Sequence, residues 1–174
     1  NINKKNILII GAGFISQIIL RILFRKKFKV TILDRNKFKL RKASKFAKKL
    51  IFLDVEKKRD ISFDKKFDCI IDSVGSPNLL NLLIKHLKPE GKFIVYGNVY
   101  NDTKLLKENY NIILRKELSI QGVWNSTFKI NNSNWNDAEK FLVRYSSDFR
   151  QLITHESSLN KSKELFQKIY LSRV

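Results

Sequence analysis

Two glycines and an acidic residue have the types and the spacing needed to bind a dinucleotide. Gly11 and Gly13 follow the apolar run Ile7–Ile10, and Asp34 ends the next apolar run, 21 residues beyond Gly13. Gly11 permits a tight turn, and Gly13 lets a pyrophosphate approach the backbone N–H groups that open the following helix. A carboxylate about 20 residues further on can accept hydrogen bonds from both hydroxyls of a ribose. The spacing therefore predicts a dinucleotide-binding site.

The third glycine of this fingerprint is absent. Ser16 stands where a glycine lets helix and strand approach most closely, so the motif is weakened but retained. An ordinary strand–turn–helix junction without a ligand is one alternative. A methyltransferase loop is another, although it would need an acidic residue where Ile10 ends the strand. We favour the dinucleotide site because strand, turn, helix and acidic residue occur in the expected order.

Apolar runs bounded by turns alternate with amphipathic stretches, which is typical of a parallel sheet with helices on both faces. We predict six strands, and these are Asn6–Ile10, Lys29–Leu33, Leu50–Leu53, Cys69–Asp72, Lys92–Tyr96 and Leu118–Gly122. The predicted helices are Ile15–Phe24, Lys37–Lys48, Asn78–Leu87, Leu105–Arg115, Trp135–Tyr145 and Lys161–Leu171. This pattern predicts a Rossmann-type, doubly wound six-stranded α/β fold.

Turn residues mark the boundaries of several predicted elements. Ser76-Pro77 can start a helix and Pro89-Glu90-Gly91 can end one, while Ser133 or Asn134 could cap the helix that contains Trp135. In open α/β sheets, ligands bind beyond the carboxyl ends of the strands. Five residues lie at the predicted carboxyl ends of strands, and these are Gly11, Asp34, Gly75, Gly97 and Gly122. Turn formation explains each glycine singly, but one binding edge explains the set better.

The charge balance raises a nucleic-acid hypothesis, because 35 Lys and Arg against 16 Asp and Glu give a net charge of +19. The basic residues are scattered over predicted loops and helix surfaces, and no basic helix interleaved with aromatic residues occurs. We therefore expect solvated surface charge, nonspecific binding to polyanions at low salt and no specific nucleic-acid partner.

Length and composition favour one globular domain, with 174 residues of which 43% are hydrophobic. The chain begins with Asn1 and contains no Met, so we expect it to be part of a longer protein. No apolar run approaches the roughly 18 uncharged residues of a membrane helix, and we expect a soluble, cytoplasmic protein. Cys69, the only cysteine, excludes an internal disulfide and a cysteine-rich zinc site, and is expected to be a buried thiol.

Three further segments extend the pattern along the chain, and these are Phe67–Pro77, Leu87–Lys92 and Ile113–Leu118. With the glycine turn they occur in the order found in the cofactor-binding domain of the medium-chain dehydrogenase/reductase family, which the chain resembles over essentially its whole length. The stretch Ile113–Ser126 looks most like the polyol dehydrogenases of that family.

The resemblance implies an NAD site at the carboxyl edge of the sheet. The cofactor-binding residues that it implies are Gly11, Gly13, Phe14, Ile15, Asp34, Lys39, Ser73, Val74, Gly75, Gly97, Asn98, Val99, Val123 and Trp124. The backbone at Gly13 would face the pyrophosphate, and Asp34 and Lys39 would lie at the adenosine ribose. Asn125 stands where sorbitol-type relatives carry an arginine that reaches the pyrophosphate.

The resemblance also implies where the chemistry lies. Zinc-dependent members hold the metal with Cys, His and acidic residues of an N-terminal domain, where it polarises the substrate hydroxyl during hydride transfer. We therefore expect an NAD-dependent polyol or polyol-phosphate dehydrogenase as the parent protein, with its zinc and catalytic residues outside these 174 residues. The alternatives are a non-zinc quinone-oxidoreductase-like reductase and a non-catalytic regulatory NAD-binding module.

The remaining expectations concern organisation. Residues 1–148 are predicted to form the dinucleotide-binding domain, and residues 149–174 a segment that packs on the catalytic domain in the family. If Leu118–Gly122 is the outer strand, its free edge predicts a homodimer. His86 is expected to be a surface or partly packed residue, and Trp135 a core anchor. His155 is expected in a structural strand that starts at Leu152.

Overall fold

The computed structural model describes residues 5–53, 63–124 and 134–171. The chain forms two compact units, residues 1–127 and 128–174. The sheet belongs to the first unit, and the second contains helices. Each unit is described by itself.

Six strands form one parallel sheet in the first unit. They are β1 (Asn6–Ile10), β2 (Lys29–Asp34), β3 (Lys49–Phe52), β4 (Phe67–Asp72), β5 (Leu87–Val95) and β6 (Ser119–Gly122). Their order is β3-β2-β1-β4-β5-β6, and every neighbouring pair is parallel. The order reverses between β1 and β4, which is where ligands bind in such sheets. The predicted Rossmann-type fold is confirmed.

The helices of this unit connect successive strands. They are α1 (Phe14–Arg25), α2 (Lys37–Ala43), α3 (Leu79–Leu83), which continues as a 3₁₀ turn over Ile84–His86, and α4 (Lys107–Arg115). Helix α2 ends earlier than predicted. The helix ends early because the next strand, β3, must pair with β2. The Lys48 N–H, just before β3, already donates to the Val30 carbonyl oxygen of β2 over 2.8 Å.

Apolar side chains of β1 enter two cores, one on each face of the sheet, because successive side chains of a strand point in opposite directions. Leu8 packs in the core that contains Phe93, and Ile9 packs in the core that contains Leu20 of α1. Helices therefore cover both faces, and β1 lies at the centre of the molecule's first unit.

Strand β5 begins earlier than the sequence pattern suggested. Pro89, Glu90 and Gly91, predicted to end a helix, lie within this strand instead. Leu87 pairs with Phe67 of β4, and the register then shifts before Lys92 pairs with Cys69. The shift accommodates the proline, which has no N–H to donate to a neighbouring strand.

The second unit contains α5 (Asn134–Arg144), α6 (Ser146–Arg150), a 3₁₀ turn over Leu159–Lys161 and α7 (Ser162–Leu171). Ring contacts join α5 to α6, because Phe141 lies 4.7 Å from Tyr145 and 5.9 Å from Phe149 between centroids. Trp135 is 63% exposed. The prediction that Trp135 anchors its helix in a core is wrong, since Phe141 makes the aromatic contacts of α5.

The strand predicted at Leu152–His155 is absent from this part of the described chain. The Leu152 N–H donates to the Phe149 carbonyl oxygen and the Ile153 N–H to the Arg150 carbonyl oxygen, so a turn forms here. A strand needs the backbone groups of a neighbour, and all the strand pairs described belong to the sheet of the first unit. The proposed cap Ser133 lies outside the described residues.

Within the described ranges, no helix is both long enough and apolar enough to cross a membrane. The predicted division at residues 148 and 149 assigns a binding role to one part and a packing role to the other. It stays a prediction.

Candidate cofactor site

The turn between β1 and α1 requires glycine at its first position. Gly11 has a φ of +89°, and its N–H donates to the Leu33 carbonyl oxygen over 2.7 Å. A Cβ at Gly11 would collide with the Ser73 Oγ and would lie 2.9 Å from the Val74 Cγ2. Backbone conformation and lack of space both exclude a side chain. The turn is thus held directly against the segment that follows β4.

Gly13 opens α1 and faces free space. It is the N-cap residue, no side chain caps the helix, and no atom lies within 4 Å of a Cβ added at this position. The N–H groups of the first helical turn have no partner inside the helix, and the helix dipole makes this end electropositive. The following Phe14 and Ile15 are 63% and 55% exposed. Gly13, Phe14 and Ile15 therefore form an open, donor-rich cradle suited to an anion.

The Asp34 carboxylate is fixed at the carboxyl end of β2. One oxygen accepts the Ala12 N–H at 2.6 Å, and the other accepts the Asn36 N–H at 2.7 Å. The residue is nearly buried, so these bonds hold its orientation. Each carboxylate oxygen has two lone pairs and keeps one for a further donor. The arrangement can accept both hydroxyls of a diol.

Lys39 lies in the first turn of α2, the helix that follows Asp34. Its N–H donates to the Asn36 side chain, which caps α2, and its carbonyl oxygen accepts the Gln17 side-chain amide at 3.0 Å. Gln17 belongs to α1, so the two helices are tied together. The Lys39 side chain is exposed, as is Arg35. Two exposed cations thus follow the carboxylate along the chain.

Asp72 orders the loop after β4, and the sequence analysis did not identify it as a site residue. One of its carboxylate oxygens accepts the Val74 N–H at 2.9 Å and the Gly75 N–H at 3.1 Å. Gly75 has a φ of +67°. The signal was present in the sequence, because an Asp that directly precedes Ser73 and a glycine-containing turn favours this side-chain-to-backbone bonding.

The loops after β4 and β5 pack backbone against backbone. A Cβ at Gly75 would collide with the Asn98 carbonyl oxygen, and one at Gly97 would lie 2.5 Å from the Gly75 nitrogen. The Asp72 carbonyl oxygen also accepts the Gly97 N–H at 3.1 Å. The predicted contact segments Ser73–Gly75 and Gly97–Val99 are therefore neighbours in the structure.

Exposed apolar side chains line the same edge of the sheet. Val74 and Val99 are 46% and 48% exposed in the two packed loops. Beyond them, Val123 continues the β6 ladder through its N–H to the Val95 carbonyl oxygen, and Trp124 is 78% exposed. Together they give one edge an apolar surface beside the polar glycine turn. Asn125 lies outside the described residues.

Other candidate groups have structural surroundings. Cys69 is partly buried and not fully buried as expected, and this burial raises the pKa of its thiol to about 11, so the thiol stays protonated near neutral pH. His86 is partly buried with its ring 4.8 Å from the Phe63 ring, and exposed His155 bonds to Thr154. The described ranges contain no cluster of three or more His, Cys, Asp or Glu side chains that could hold a metal ion. No zinc-dependent step is assigned to these residues.

A cavity of about 240 Å³ lies at the opposite edge of the sheet, where Asn6 and Lys29 start β1 and β2. Its lining includes the lysines Lys29, Lys48, Lys49 and Lys65. None of the predicted cofactor contacts lines this cavity. It is separate from the site at the carboxyl ends.

Most of the chain matches one protein family. Residues 15–144 match the family model described as zinc-binding dehydrogenase. The chain belongs to that family. Galactitol 1-phosphate 5-dehydrogenase of Escherichia coli strain K12 is 26% identical to it, over 95% of this chain and 50% of the relative. The chain thus spans about half the length of the curated relative that it matches. The resemblance inferred from the sequence motifs is confirmed.

Solved dehydrogenase structures share the fold of this zinc-binding dehydrogenase chain. The short chain alcohol dehydrogenase rspB of E. coli CFT073, complexed with NADH, superposes with a TM-score of 0.74 at 21% identity, over 97% of this chain and 49% of its own. S. aureus TarJ, in complex with NADPH, gives 0.70 at 22% identity, over 95% and 52%. One structure holds NADH and the other NADPH, so the shared fold does not select between them.

Proposed function

We propose that this chain is the cofactor-binding domain of an NAD-dependent dehydrogenase that transfers hydride between a polyol or polyol phosphate and nicotinamide. The observation that carries the proposal is the pairing of an open helix N-terminus at Gly13 with a fixed carboxylate at Asp34. An anion cradle and a diol acceptor on one sheet edge match the pyrophosphate and the ribose of one dinucleotide.

Each part of the site would contact a different part of the cofactor. The backbone N–H groups of Phe14 and Ile15 would bind the pyrophosphate, and Asp34 would bind the adenosine ribose. The apolar side chains of Val74, Val99 and Trp124 would shield the nicotinamide end from water. When bound, the nicotinamide supplies the hydride acceptor or donor, and the protein supplies binding and orientation.

The Asp34 carboxylate also favours NAD over NADP. It would repel the 2′-phosphate that NADP carries in place of one ribose hydroxyl. The exposed cations Arg35 and Lys39 would weaken that repulsion without reversing it, because exposed charges are screened by water and salt.

The catalytic step would need residues beyond this chain. The polyol substrate is supported by the similarity to galactitol 1-phosphate 5-dehydrogenase, which is about twice as long. On α7, Phe166 and Tyr170 are each 72% exposed and lie four residues apart, so they share one helix face that a further domain would cover. The purified chain should bind cofactor and turn nothing over. Steady absorbance change at the reduced-nicotinamide band with galactitol 1-phosphate, sorbitol and zinc would contradict this.

A graded substitution at Gly13 tests the proposal. The φ of Gly13 is −68° and no atom lies near an added Cβ, so Gly13→Ala and Gly13→Val should fold normally. Their side chains would occupy the space assigned to the pyrophosphate. Calorimetric titration with NADH should show weaker binding for Ala and no measurable binding for Val, at unchanged unfolding temperature. Equal NADH affinity in all three proteins would contradict the site.

A further inference from the structure

Three hydroxyl groups form a continuous chain beneath the glycine turn. Ser16, the third residue of α1, is 1% exposed. Its Oγ lies 2.9 Å from the Ser73 Oγ and 2.7 Å from the Tyr96 Oη. The Ser73 Oγ lies 2.5 Å from the Ile10 carbonyl oxygen. The chain therefore links α1 to the ends of β1, β4 and β5.

The direction of these hydrogen bonds follows from counting protons, because each hydroxyl has one hydrogen and a carbonyl oxygen only accepts. Ser73 must donate to Ile10, so it accepts from Ser16. Ser16 has then used its hydrogen, and Tyr96 must donate to Ser16. The chain runs in one direction, from Tyr96 through Ser16 and Ser73 to Ile10.

The surroundings of the three hydroxyl groups restrict their movement. A Cβ at Gly11 would collide with the Ser73 Oγ, so the glycine turn already lies against the last of the three hydroxyl groups. Tyr96 directly precedes Gly97, whose backbone packs against the loop after β4. The series is partly buried, and hydrogen bonds in a series shielded from water polarise and strengthen one another. The hydroxyl chain thus fixes the glycine turn relative to both loops.

We propose that Ser16, acting with Tyr96, is a positioning residue that sets the pyrophosphate cradle in register with the loops that face the nicotinamide half of the cofactor. The inference rests on the proposed NAD site. The sequence motif alone indicated that Ser16 weakens the site. In this proposal Ser16 has the opposite role, because its hydroxyl links the helix to the loops where a glycine would only allow closer helix packing. Ser16→Gly, which restores the usual fingerprint, should weaken cofactor binding.

The variants are chosen to remove the link without removing the helix. Ser16→Ala deletes the hydroxyl and raises helix propensity, Ser16→Gly tests the fingerprint residue, and Tyr96→Phe deletes the donor. Tyr110→Phe is the matched control, because Tyr110 on α4 is 62% exposed. Each protein is titrated with NADH and with AMP. AMP lacks the nicotinamide half and needs only the cradle and Asp34.

We expect roughly three- to tenfold weaker NADH binding in each Ser16 and Tyr96 variant, with AMP binding within about twofold of wild type. The double variant Ser16→Ala/Tyr96→Phe should lose no more than the larger single loss, because both changes break one chain. The control Tyr110→Phe should bind both ligands as wild type does.

The outcomes separate this inference from the proposed function. Failure of the wild-type chain to bind NADH would overturn both. Wild-type binding with undiminished NADH affinity in the Ser16 and Tyr96 variants would overturn the positioning role alone. Equal losses for AMP and NADH would also overturn it, since they would indicate general destabilisation instead of registration between the two halves of the site.

Discussion

The Asp34 carboxylate connects the glycine turn to the start of α2 through two backbone amides. Its bonds to Ala12 and Asn36 are short, at 2.6 and 2.7 Å, and the carboxylate is nearly buried. Bonds from amides to a buried carboxylate are stronger than neutral ones, and removing the acceptor leaves both donors unsatisfied. Asp34 should therefore act on the shape of the turn as well as on the ribose.

Replacement of Asp34 should change both cofactor affinity and cofactor choice. We expect the wild-type chain to bind NADH more tightly than NADPH in calorimetric titrations. Asp34→Ala should weaken NADH binding by about tenfold or more, since it removes charged hydrogen bonds and loosens the turn, and should erase the preference. Asp137→Asn is the control, because Asp137 is exposed on α5 and lines neither the predicted site nor the lysine-lined cavity. Tighter NADPH binding by wild type would refute the assignment.

Asp68 gives the molecule a pH-dependent contact away from the site. Its carboxylate accepts the Lys88 ammonium at 2.9 Å and the Asn6 N–H at 2.7 Å. Burial is the largest single influence and raises the pKa of the Asp68 carboxyl, but the Lys88 and Asn6 contacts together hold that pKa below its usual value. A depressed pKa means that the ionised carboxylate stabilises the fold above the unfolded value, and that this is lost on acidification.

Asp68→Asn should accordingly destabilise the chain only where the carboxylate is ionised. At pH 7 we expect a loss of about 1 kcal/mol in the free energy of unfolding, measured in urea, because the pair is partly exposed to solvent. The difference from wild type should shrink from about pH 5 downward and vanish below the depressed pKa. A difference that stays constant between pH 7 and pH 2 would show that the charge is not responsible.

The site residues that could be predicted from the sequence share one property. The pattern that identifies each of them lies within a short stretch of chain. Gly11, Gly13 and Asp34 are recognisable by type and spacing within one strand–helix–strand unit. The Tyr96 hydroxyl acts on Ser16 across 80 residues of chain, and no local pattern records that contact. Long-range hydroxyl bonds depend on the packing of the whole sheet, so they emerge only from the structure.

At the scale of elements, β6 is the edge strand next to β5, and all four of its residues are exposed. The Val123 N–H bonds to β5, and strand alternation makes the Gln121 backbone face the same way. The backbone groups of Ile120 and Gly122 therefore point away from the sheet. Within the described residues no strand pairs with this edge, and such an edge can join a second copy across a twofold axis, so the homodimer stays a prediction for this strand.

A proline at Ile120 should block that association and spare the fold. Ile120→Pro removes an N–H that points outward, and prolines are tolerated on edge strands. Light scattering at high protein concentration should give a dimer for wild type and a monomer for the variant, with matching circular dichroism spectra. A monomeric wild-type chain, or a variant that still dimerises, would count against the edge as the interface.

Element types could be predicted well, because the apolar runs are long and their periods are clear. All six strands form where a run occurs, whereas element ends depend on distant partners. Pro89 lies inside β5 because β4 offers backbone groups for Leu87 to join. The stretch from Leu152 forms a turn because the described chain supplies no strand beside it.

For the whole molecule, the positive charge and the glycine turn indicate ligand binding at opposite ends of the strands. The lysine-lined cavity lies at the amino ends of the strands, and the glycine turn lies at the carboxyl ends. With a net charge of +19, the first edge would attract phosphate-containing ligands nonspecifically. Binding of NAD alone therefore does not identify the site. The position of the bound cofactor on the sheet is what identifies it.

The most direct test is a crystal structure of the chain grown with NAD. We predict electron density for the pyrophosphate against the backbone of Gly13, Phe14 and Ile15, and for the adenosine ribose within hydrogen-bonding distance of the Asp34 carboxylate. Density for the cofactor confined to the cavity near Lys29 and Lys48, or a carboxyl edge left empty at saturating NAD, would contradict the account.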